Sequence, residues 1–423
     1  MTDTELIARR DRLMGTKTPI FYDSPIHIVR GDGVWMYDSK GDRYLDLYNN
    51  VPCVGHCHPH VVKAMQDQAG TLNVHSRYLH EGVLDYAQRL IDCHADSLSS
   101  VIFTCTGTEA NEVAMSMARI ATGGRGIICS DSAYHGNSAE VSKLTRVKQA
   151  KQPHPEIRSI PFPQCYRPIR EDVSDSELTD LYLAEVQAAI DDFKAKNIPF
   201  AGLLLCPILA NEGLPDIPVG FMSRAAELVR NAGGLFIADE VQAGFCRTGN
   251  WWGYELMEFV PDIVTMGKPM GSGLPLAGVV ASTDLVNAFR KGKSYFNTFA
   301  SSPLQAAVGM AVIDVIETEN LRQSVSQVGN YLSAELGKLQ ESCEPMGDIR
   351  SRGLYIGMEW VSDRNSKTPD PEGAKRIENC LKDKGYLIGC SGANRNVLKI
   401  RPPLVFQQEH ADLFLTAFEE TIQ

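Results

Sequence analysis

A lysine and an aspartate that each follow a short apolar run are the residues of this chain best placed for chemistry. Lys268 comes just after the run Ile263–Met266, and Asp239 ends the run Leu235–Ala238. Active sites of α/β proteins lie at the carboxyl ends of parallel strands, so a crossover would bring both residues to one sheet edge. There the lysine can form a Schiff base, and the aspartate can hold a ring nitrogen protonated. The alternatives are a surface lysine and an aspartate in a helix cap or a buried salt bridge.

Two further segments suit a ligand that carries a phosphate group and an aromatic ring. Thr106, Gly107 and Thr108 stand between an apolar run and a helical pattern, and N–H groups at a helix start bind phosphate. Tyr134 and His135 follow the next apolar run, where an aromatic side chain can stack on a flat ligand. An ordinary helix cap and a buried tyrosine are the alternatives. Together with the lysine and the aspartate, these segments meet the needs of pyridoxal 5′-phosphate (PLP), with the lysine as general base.

The elements that must position these residues follow an alternating pattern. From about residue 60 onwards, short apolar runs alternate with helical stretches, which predicts an α/β fold with a mostly parallel sheet. The predicted strands are Val101–Thr104, Gly126–Cys129, Gly202–Leu205, Leu235–Ala238, Ile263–Met266 and Leu276–Ala281. The predicted helices among them are Glu81–Cys93, Glu109–Ile120 and Gly220–Asn231.

The two ends of the chain predict a smaller unit. Residues Ile26 to Leu47 show short alternating runs punctuated by turn pairs, which is typical of hairpin strands. After Leu304 a helical pattern runs to about Ser342, and strands and a helix from Gln408 follow. We predict a large PLP-binding domain over 61–310, with 1–60 and 311–423 as the two parts of a small domain.

Composition and charge exclude several classes of protein. The 423 residues hold 41 Lys and Arg against 52 Asp and Glu, a net charge of −11 that argues against a nucleic-acid or anionic-membrane binder. Eleven scattered cysteines, an odd number, predict reduced thiols and a cytoplasmic location rather than a disulfide scaffold. No signal peptide or membrane-spanning run is evident, so we expect no membrane partner. Because the net charge is negative, we expect no nucleic-acid partner either.

Eight short motifs follow one another from about residue 55 to residue 299. They are Gly55-His-Cys-His-Pro59, Gly107-Thr-Glu-Ala-Asn111, Tyr134-His-Gly136, Ala238-Asp-Glu-Val-Gln-Ala-Gly-Phe245, Arg247-Thr-Gly249, Pro261-Asp-Ile-Val264, Gly267-Lys268 and Asn297-Thr-Phe299. With them the sequence resembles the class III (ω-) aminotransferases, which are fold-type I PLP enzymes. The resemblance implies an α/β fold, with a large domain built on a mixed, mostly parallel seven-stranded sheet and a small α+β domain.

The resemblance also implies a role for each matched residue. Lys268 would carry the cofactor, and Asp239 would be the partner of its pyridine nitrogen. The remaining cofactor-binding residues would be Thr106, Gly107, Thr108, Tyr134, His135, Val241, Gln242 and Thr298. Of these, Val241 would pack on the ring, Gln242 would reach its O3′, and Thr298 would contact the phosphate in a neighbouring subunit. That last role implies a homodimer with shared active sites, or a tetramer built from such dimers.

Four further motifs are similar to the ethanolamine-phosphate phospholyase-like branch of the family. They are Asn49-Asn-Val51, Ser76-Arg-Tyr-Leu-His80, Tyr295-Phe-Asn-Thr-Phe299 and Asn396-Val-Leu-Lys-Ile-Arg-Pro-Pro403. Because that branch mixes aminotransferases with lyases, two reactions stay open. The first is transfer of an amino group from a primary amine or ω-amino compound to a keto acid. The second is elimination from an amino phosphate, an amino phosphonate or a hydroxy-amine.

Two departures from the wider family bear on the substrate. Many members carry a Glu-Pro motif where this chain has Cys206-Pro, and many place an arginine where it has Lys399. Recognition of a keto acid by that arginine is therefore not predicted. The candidate substrate-binding residues are Asn49, Arg77, Lys399 and Arg401, of which the last three could bind a phosphate or phosphonate; a solvated surface position is the alternative for each of these three.

A metal site is not predicted. Cys53, His56, Cys57 and His58 lie close together in the sequence, but a second Cys/His pair at zinc-finger spacing is missing. Both histidines are therefore interpreted as structural.

Overall fold

The computed structural model describes residues 2–147 and 154–423. Its strands are β1 (Ile28–Asp32), β2 (Trp35–Asp38), β3 (Arg43–Asp46), β4 (Ser100–Thr104), β5 (Gly126–Ser130), β6 (Ile157–Ile160), β7 (Phe200–Leu205), β8 (Leu235–Asp239), β9 (Ile263–Met266), β10 (Ala277–Ala281), β11 (Met346–Ser351), β12 (Ile356–Asp363), β13 (Thr368–Pro369), β14 (Tyr386–Leu387), β15 (Gly389–Ser391) and β16 (Val397–Ile400). Its α-helices are α1 (Asp3–Met14), α2 (Pro59–Thr71), α3 (Glu81–Ile91), α4 (Gly107–Thr122), α5 (Asp175–Ala195), α6 (Phe221–Asn231), α7 (Gly253–Leu256), α8 (Thr283–Gly292), α9 (Pro303–Thr318), α10 (Leu321–Ser342), α11 (Pro371–Asp383) and α12 (Gln408–Ile422).

A seven-stranded sheet in the order β4-β10-β9-β8-β7-β5-β6 forms the centre of the molecule. Only β10 runs antiparallel to its neighbours, β4 and β9; all other adjacent strands are parallel. The predicted mixed, mostly parallel sheet is thereby confirmed. Because β4, β5, β7, β8 and β9 point the same way, their carboxyl ends meet at one edge, where the loops that bear the candidate residues begin.

Apolar runs form this sheet because helices cover both of its faces. In β5, Ile127 and Cys129 belong to the core against α4, whereas Ile128 belongs to the core on the opposite face, against α5 and α6. Side chains alternate between the two faces along a strand, so a strand that is covered on both sides needs apolar residues at every position. The six predicted strands are observed within one or two residues at each end; β6 was not predicted.

Strands from both ends of the chain share a second sheet, ordered β1-β2-β3-β14. Its first three strands are antiparallel, as the hairpin pattern predicted, and β14 joins β3 in parallel, with Tyr386 opposite Leu45. A third, antiparallel sheet has the order β11-β12-β16-β15, with β13 paired to β12. The domain boundaries at residues 60/61 and 310/311 stay a prediction.

The helical pattern predicted from Leu304 to about Ser342 forms two helices rather than one. Helix α9 ends at Thr318 and α10 begins at Leu321, because Asn320 adopts a left-handed backbone conformation with φ of 52°. Asparagine tolerates that conformation, which a continuous helix excludes. Among the helices that the structure describes, none is long and apolar enough to cross a membrane.

Candidate active site

A cavity of about 340 Å³ lies at the carboxyl edge of the central sheet. The predicted residues that line it are Thr106, Gly107, Thr108, Tyr134, His135, Asp239, Val241, Gln242 and Lys268. The crossover between β8 and β9 therefore brings Asp239 and Lys268 to one edge, as the spacing predicted. Gly107 and Thr108 begin α4, and the other seven residues belong to the loops that follow β4, β5, β8 and β9 or to the ends of those strands.

Asp239 is held by three hydrogen-bond donors although it is almost fully buried. Nδ1 of His135 lies 2.6 Å and Nδ2 of Asn111 3.0 Å from its Oδ2, and the backbone N–H of Val241 donates to its Oδ1 at 3.0 Å. Burial alone would raise the pKa of Asp239; the hydrogen bond and charge of His135, followed by the other donors and Lys268, lower it below its ordinary value. The carboxylate is therefore kept ionised and can hold a protonated ring nitrogen.

Lys268 reaches into the cavity from the loop after β9. Its side chain is open to the cavity, but the protein atoms on its other sides desolvate the amine. This desolvation, followed by the positive charge of Arg401, lowers the pKa of Lys268, and Asp239 opposes the shift. A larger fraction of the amine is thus neutral, as a nucleophile or a general base requires.

The start of α4 forms the end of the cavity that suits a phosphate group. Thr106 caps the helix: its hydroxyl oxygen accepts from the N–H of Glu109 at 3.1 Å, and the Glu109 carboxylate accepts from the N–H groups of Cys105 and Thr106. The N–H groups of Gly107 and Thr108 lie in the first turn, where helix geometry leaves them without intrahelical partners. The segment thus contains both an ordinary helix cap, made by Thr106, and the N–H groups of the predicted phosphate site.

Gly107 must be a glycine because of its close neighbours. A Cβ atom at this position would lie 2.9 Å from both terminal methyl groups of Val241, which lines the cavity. A larger residue would therefore push Val241 into the space that the cavity occupies. The backbone at the start of α4 can approach a ligand closely for the same reason.

Asn211, in the loop after β7, hydrogen-bonds to two of the lining residues. It was not predicted as a site residue from the sequence. Its Nδ2 donates to the backbone oxygen of Tyr134 at 2.9 Å, and its Oδ1 accepts from Nε2 of Gln242 at 2.8 Å. The Oε1 of Gln242 accepts from Arg401. Gln242 retains one N–H of its amide for a ligand. Tyr134 is 46% exposed and is held over the cavity by its backbone contact rather than by packing.

Lys399 and Arg401 are buried beside the cavity, so the solvated alternative was wrong for both. They are 7% and 4% exposed, and Arg401 also donates to the backbone oxygen of Tyr48 at 3.0 Å. Nζ of Lys399 lies 4.8 Å from the centre of the Tyr48 ring. Burial, followed by the positive charges of Arg401 and Lys268, lowers the pKa of Lys399 far below its ordinary value.

Five predicted residues do not line this cavity: Lys399 and Arg401, which are buried beside it, and Asn49, Arg77 and Thr298. Asn49 hydrogen-bonds to Asp46 and lines a separate cavity of about 740 Å³ beside α1. Arg77 is exposed, with its guanidinium 4.0 Å from the centre of the Phe296 ring, and Thr298 is exposed in the same region of the surface.

The two histidines of the Gly-His-Cys-His segment pair with carboxylates. His56 Nε2 lies 2.8 Å from Asp46 Oδ2, and His58 Nε2 lies 2.9 Å from Glu319 Oε1. The described residues include no group of three or more histidine, cysteine or carboxylate side chains arranged to hold a metal ion.

The family of this chain follows from its similarity to known proteins. The model of the family "aminotransferase class-III" matches residues 21–422. The chain belongs to the class III aminotransferase family. Its cofactor is therefore PLP. The cavity fits that group, because an ionised carboxylate, a desolvated lysine amine and the start of a helix surround it. A Cβ atom at Gly107 would displace Val241 and narrow this space.

The names of similar proteins refer to both of the reactions that the sequence left open. A protein named alanine–glyoxylate aminotransferase 2-like from Drosophila melanogaster is 36% identical over 100% of this chain and 87% of its own. Ethanolamine-phosphate phospho-lyase homolog 1 from Caenorhabditis elegans is 34% identical over 99% and 93%.

Among solved structures, an Arthrobacter phospholyase in complex with phosphoethanolamine has a TM-score of 0.95 and 38% identity over 99% of both chains. An (S)-enantioselective omega-transaminase from Thermomicrobium roseum has a TM-score of 0.88 and 26% identity over 100% of this chain and 98% of its own. The chain is thus a PLP enzyme with transaminase and phospholyase relatives.

Proposed function

We propose that this enzyme eliminates phosphate from a small amino phosphate. The observation that carries the proposal is the pair of buried cations, Lys399 and Arg401, beside the cavity. Within the described residues neither has a carboxylate in salt-bridge contact; their polar contacts are with the Tyr48 ring, the Tyr48 backbone and Gln242. Buried charge is costly unless it is paired, so the cluster favours an anionic ligand. A phosphate dianion would match the guanidinium of Arg401 and favour the protonated form of Lys399, whose pKa burial and the neighbouring positive charges lower, more strongly than the single charge of a carboxylate does.

Each part of the site has a task in such a reaction. When bound, PLP supplies an electron sink for the carbon next to the substrate's amino group. Lys268 would hold the cofactor and then accept the proton from that carbon at Nζ. Asp239 would keep the ring nitrogen protonated, and the N–H groups of Gly107 and Thr108 would bind the cofactor phosphate. Lys399 and Arg401 would hold the substrate phosphate and stabilise the charge that grows on it as it leaves.

Phosphoethanolamine, the ligand of the Arthrobacter phospholyase, is the first substrate to test. With water it would yield inorganic phosphate, ammonia and an aldehyde. The holoenzyme should release phosphate and ammonia in equal amounts, over many turnovers, with no keto acid present. Ethanolamine without the phosphate group is the matched control, and it should turn over far more slowly because it lacks the group that the two cations bind.

Amino-group transfer is the second candidate, and the aminotransferase names among the relatives favour it. A transferase converts at most one amine per site and then stops until a keto acid is added. Incubation with alanine and glyoxylate, and with a primary amine and pyruvate, measures this directly. Phosphoethanolamine that stays intact while either pair reacts catalytically would contradict the elimination proposal and support transfer.

We propose in addition that the enzyme works as a homodimer, or as a tetramer of such dimers. The exposed surface that includes Thr298 supports this: Phe299 is 76% and Leu79 100% exposed, which is unusual for large apolar side chains. Thr298 of a second copy would then reach the cofactor phosphate. Light scattering should give at least twice the mass of one chain. Mixed dimers of Lys268→Ala and Thr298→Arg should recover one working site if the sites are shared.

A cytoplasmic location is also proposed. All eleven cysteines are free in the structure. Five of them are buried with raised pKa values because burial disfavours the thiolate: Cys53, Cys129, Cys206, Cys246 and Cys343. Reduced thiols are typical of a reducing compartment. Cell fractionation with the native gene tests this, since two of the plant and animal relatives carry mitochondrial names.

A further inference from the structure

Two polar atoms next to the cofactor cavity are buried and have no hydrogen-bond partner among the described residues. One is Nε2 of His135, the ring nitrogen that faces away from Asp239. The other is Oε2 of Glu212, in the loop after β7. Buried polar groups nearly always have partners, and an ordered water molecule serves where no protein group is within reach, so two such atoms in one region point to a water molecule between them.

The surroundings of both residues place them in one network. Ser130, the last residue of β5, donates from its hydroxyl group to Oε1 of Glu212, and His135 follows in the loop after the same strand. Strands β5 and β7 are neighbours, so the loops that follow them meet. Glu212 directly follows Asn211 in the sequence. Asn211 itself hydrogen-bonds to the Gln242 side chain and to the backbone of Tyr134 at the cavity.

Charges in this region agree with the proximity of the two residues. Burial raises the pKa of Glu212, the hydroxyl group of Ser130 and the charge of His135 lower it, and the Asp131 carboxylate raises it. Glu212 is thus close enough to His135 for its ionisation to depend on the imidazole.

We propose that Glu212 is a positioning residue that acts on the cofactor through His135. Its Oε2 is linked to Nε2 of His135 through one water molecule, which donates to the lone pair on Nε2. This link keeps the proton of the imidazole on Nδ1, from which it is donated to Oδ2 of Asp239. The resulting chain runs from Ser130 through Glu212 and His135 to Asp239. Its effect on the cofactor rests on the proposed function, in which Asp239 faces the ring nitrogen.

The protonation states explain why the glutamate matters. If Glu212 is protonated, its Oε2–H donates to the water, and the water donates to the lone pair on Nε2. If Glu212 is ionised, the water donates one hydrogen to Oε2 and the other to Nε2. In either case Nε2 accepts and the imidazole carries its proton on Nδ1. Without Glu212 the water loses its anchor, the proton can move to Nε2, and Asp239 then loses a donor.

The experiment is ¹⁵N NMR of the holoenzyme labelled at histidine, with His135 assigned by the loss of its signals in His135→Asn. In the wild type, the Nε2 signal should be that of a hydrogen-bonded nitrogen and Nδ1 should be protonated. Glu212→Leu should populate the tautomer with the proton on Nε2 and lower kcat about tenfold, with the substrate KM little changed. Glu212→Gln, whose amide can still bind the water molecule, should restore the Nδ1 proton and most of kcat.

Glu227→Leu, at an exposed position on α6, is the control and should leave the His135 signals unchanged. An Nε2 signal typical of a free ring nitrogen in the wild type would overturn the proposal, even if Glu212→Leu fails to fold. Unaltered His135 signals in a folded Glu212→Leu enzyme would also overturn it. Because these signals do not depend on which reaction follows, a failure here is distinct from a failure of the elimination proposal.

Discussion

Nδ1 of His135 lies 2.6 Å from Oδ2 of Asp239, and both side chains are buried. With the amide of Asn111 on the same oxygen and the N–H of Val241 on the other, Asp239 is a fixed and ionised carboxylate. All three donors belong to the protein itself. The site is thus preorganised to hold a protonated pyridine nitrogen, which is the property that makes PLP an electron sink.

Replacement of Asp239 by asparagine should remove that property while leaving the shape of the site intact. We expect Asp239→Asn to bind PLP but to lose about 10²–10³-fold in kcat, the usual cost of removing one preorganised electrostatic group. Steady-state kinetics and the visible spectrum of the bound cofactor measure both effects. Glu240→Gln is the control, because burial raises the pKa of Glu240 to about 8 and an amide resembles its neutral form. An Asp239→Asn enzyme with wild-type kcat would contradict this assignment.

Lys399 and Arg401 should set the affinity for the substrate phosphate. A hydrogen bond to a charged group contributes about 1.5–3 kcal/mol, so Lys399→Met and Arg401→Met should each raise KM for phosphoethanolamine by about 10- to 100-fold. Arg395→Gln, an exposed cation close by in the sequence, is the control and should have little effect. Inhibition by free inorganic phosphate should weaken in parallel with the rise in KM. A change in kcat alone would place these residues elsewhere in the reaction.

The lowered pKa of Lys268 predicts how PLP incorporation depends on pH. Only the neutral amine can attack the cofactor aldehyde, so the rate of incorporation into the apoenzyme should rise with pH and level off once the amine is deprotonated. Burial and Arg401 lower this pKa, so the plateau should begin below the ordinary pKa of a lysine. Arg401→Gln removes one positive charge and should move the plateau to higher pH. Stopped-flow absorbance measures the rate; identical profiles for wild type and variant would contradict the assigned cause.

Arg247 should be important for stability rather than for chemistry. Its guanidinium is fully buried and donates to Oδ1 of Asn50 at 2.9 Å and to the backbone oxygens of Leu354 at 2.8 Å and Pro402 at 2.5 Å. Burial, followed by the charge of Arg401, lowers its pKa to about 9. Arg247→Met leaves three buried acceptors without a donor, so the free energy of unfolding should fall by about 3 kcal/mol or more.

Denaturant titration of the holoenzyme measures this loss of stability. Arg376→Met, at an exposed position on α11, is the matched control and should change the free energy of unfolding by less than about 0.5 kcal/mol. Equal stability of both variants would show that the buried contacts of Arg247 contribute nothing.

Six of the seven strands of the central sheet were predictable because they are mostly buried on both faces and therefore form apolar runs. The edge strand β6 was not, because Arg158 and Ser159 interrupt it. The reversed direction of β10 was not, since an apolar run such as Ala277–Ala281 carries no sign of its direction. The break between α9 and α10 rests on the backbone of one residue, Asn320, in an otherwise helical pattern. A single polar residue at a helix surface gives no comparable signal in the sequence.

The cofactor-binding residues were recognised because they belong to short motifs at strand ends. The burial of Lys399 was not, because a charged residue in a strand normally faces solvent, whereas all four residues of β16 are buried. Asn211 and Glu212 were missed for another reason: their partners lie 31 to 82 residues away in the sequence. The departure from the family pattern at Cys206-Pro marked this segment, but the contacts themselves appear only in the folded chain.

The central claim is that Lys268 carries the cofactor, and borohydride reduction of the holoenzyme tests it most directly. Reduction fixes the cofactor on the amine to which it is bound, and peptide mass spectrometry then identifies that lysine. We predict one labelled site per chain, at Lys268, and no label together with no visible cofactor absorption in Lys268→Ala. Lys399 is the informative alternative, because it is the other buried lysine beside the cavity with a lowered pKa. Label on Lys399, or on any lysine other than Lys268, would contradict the account.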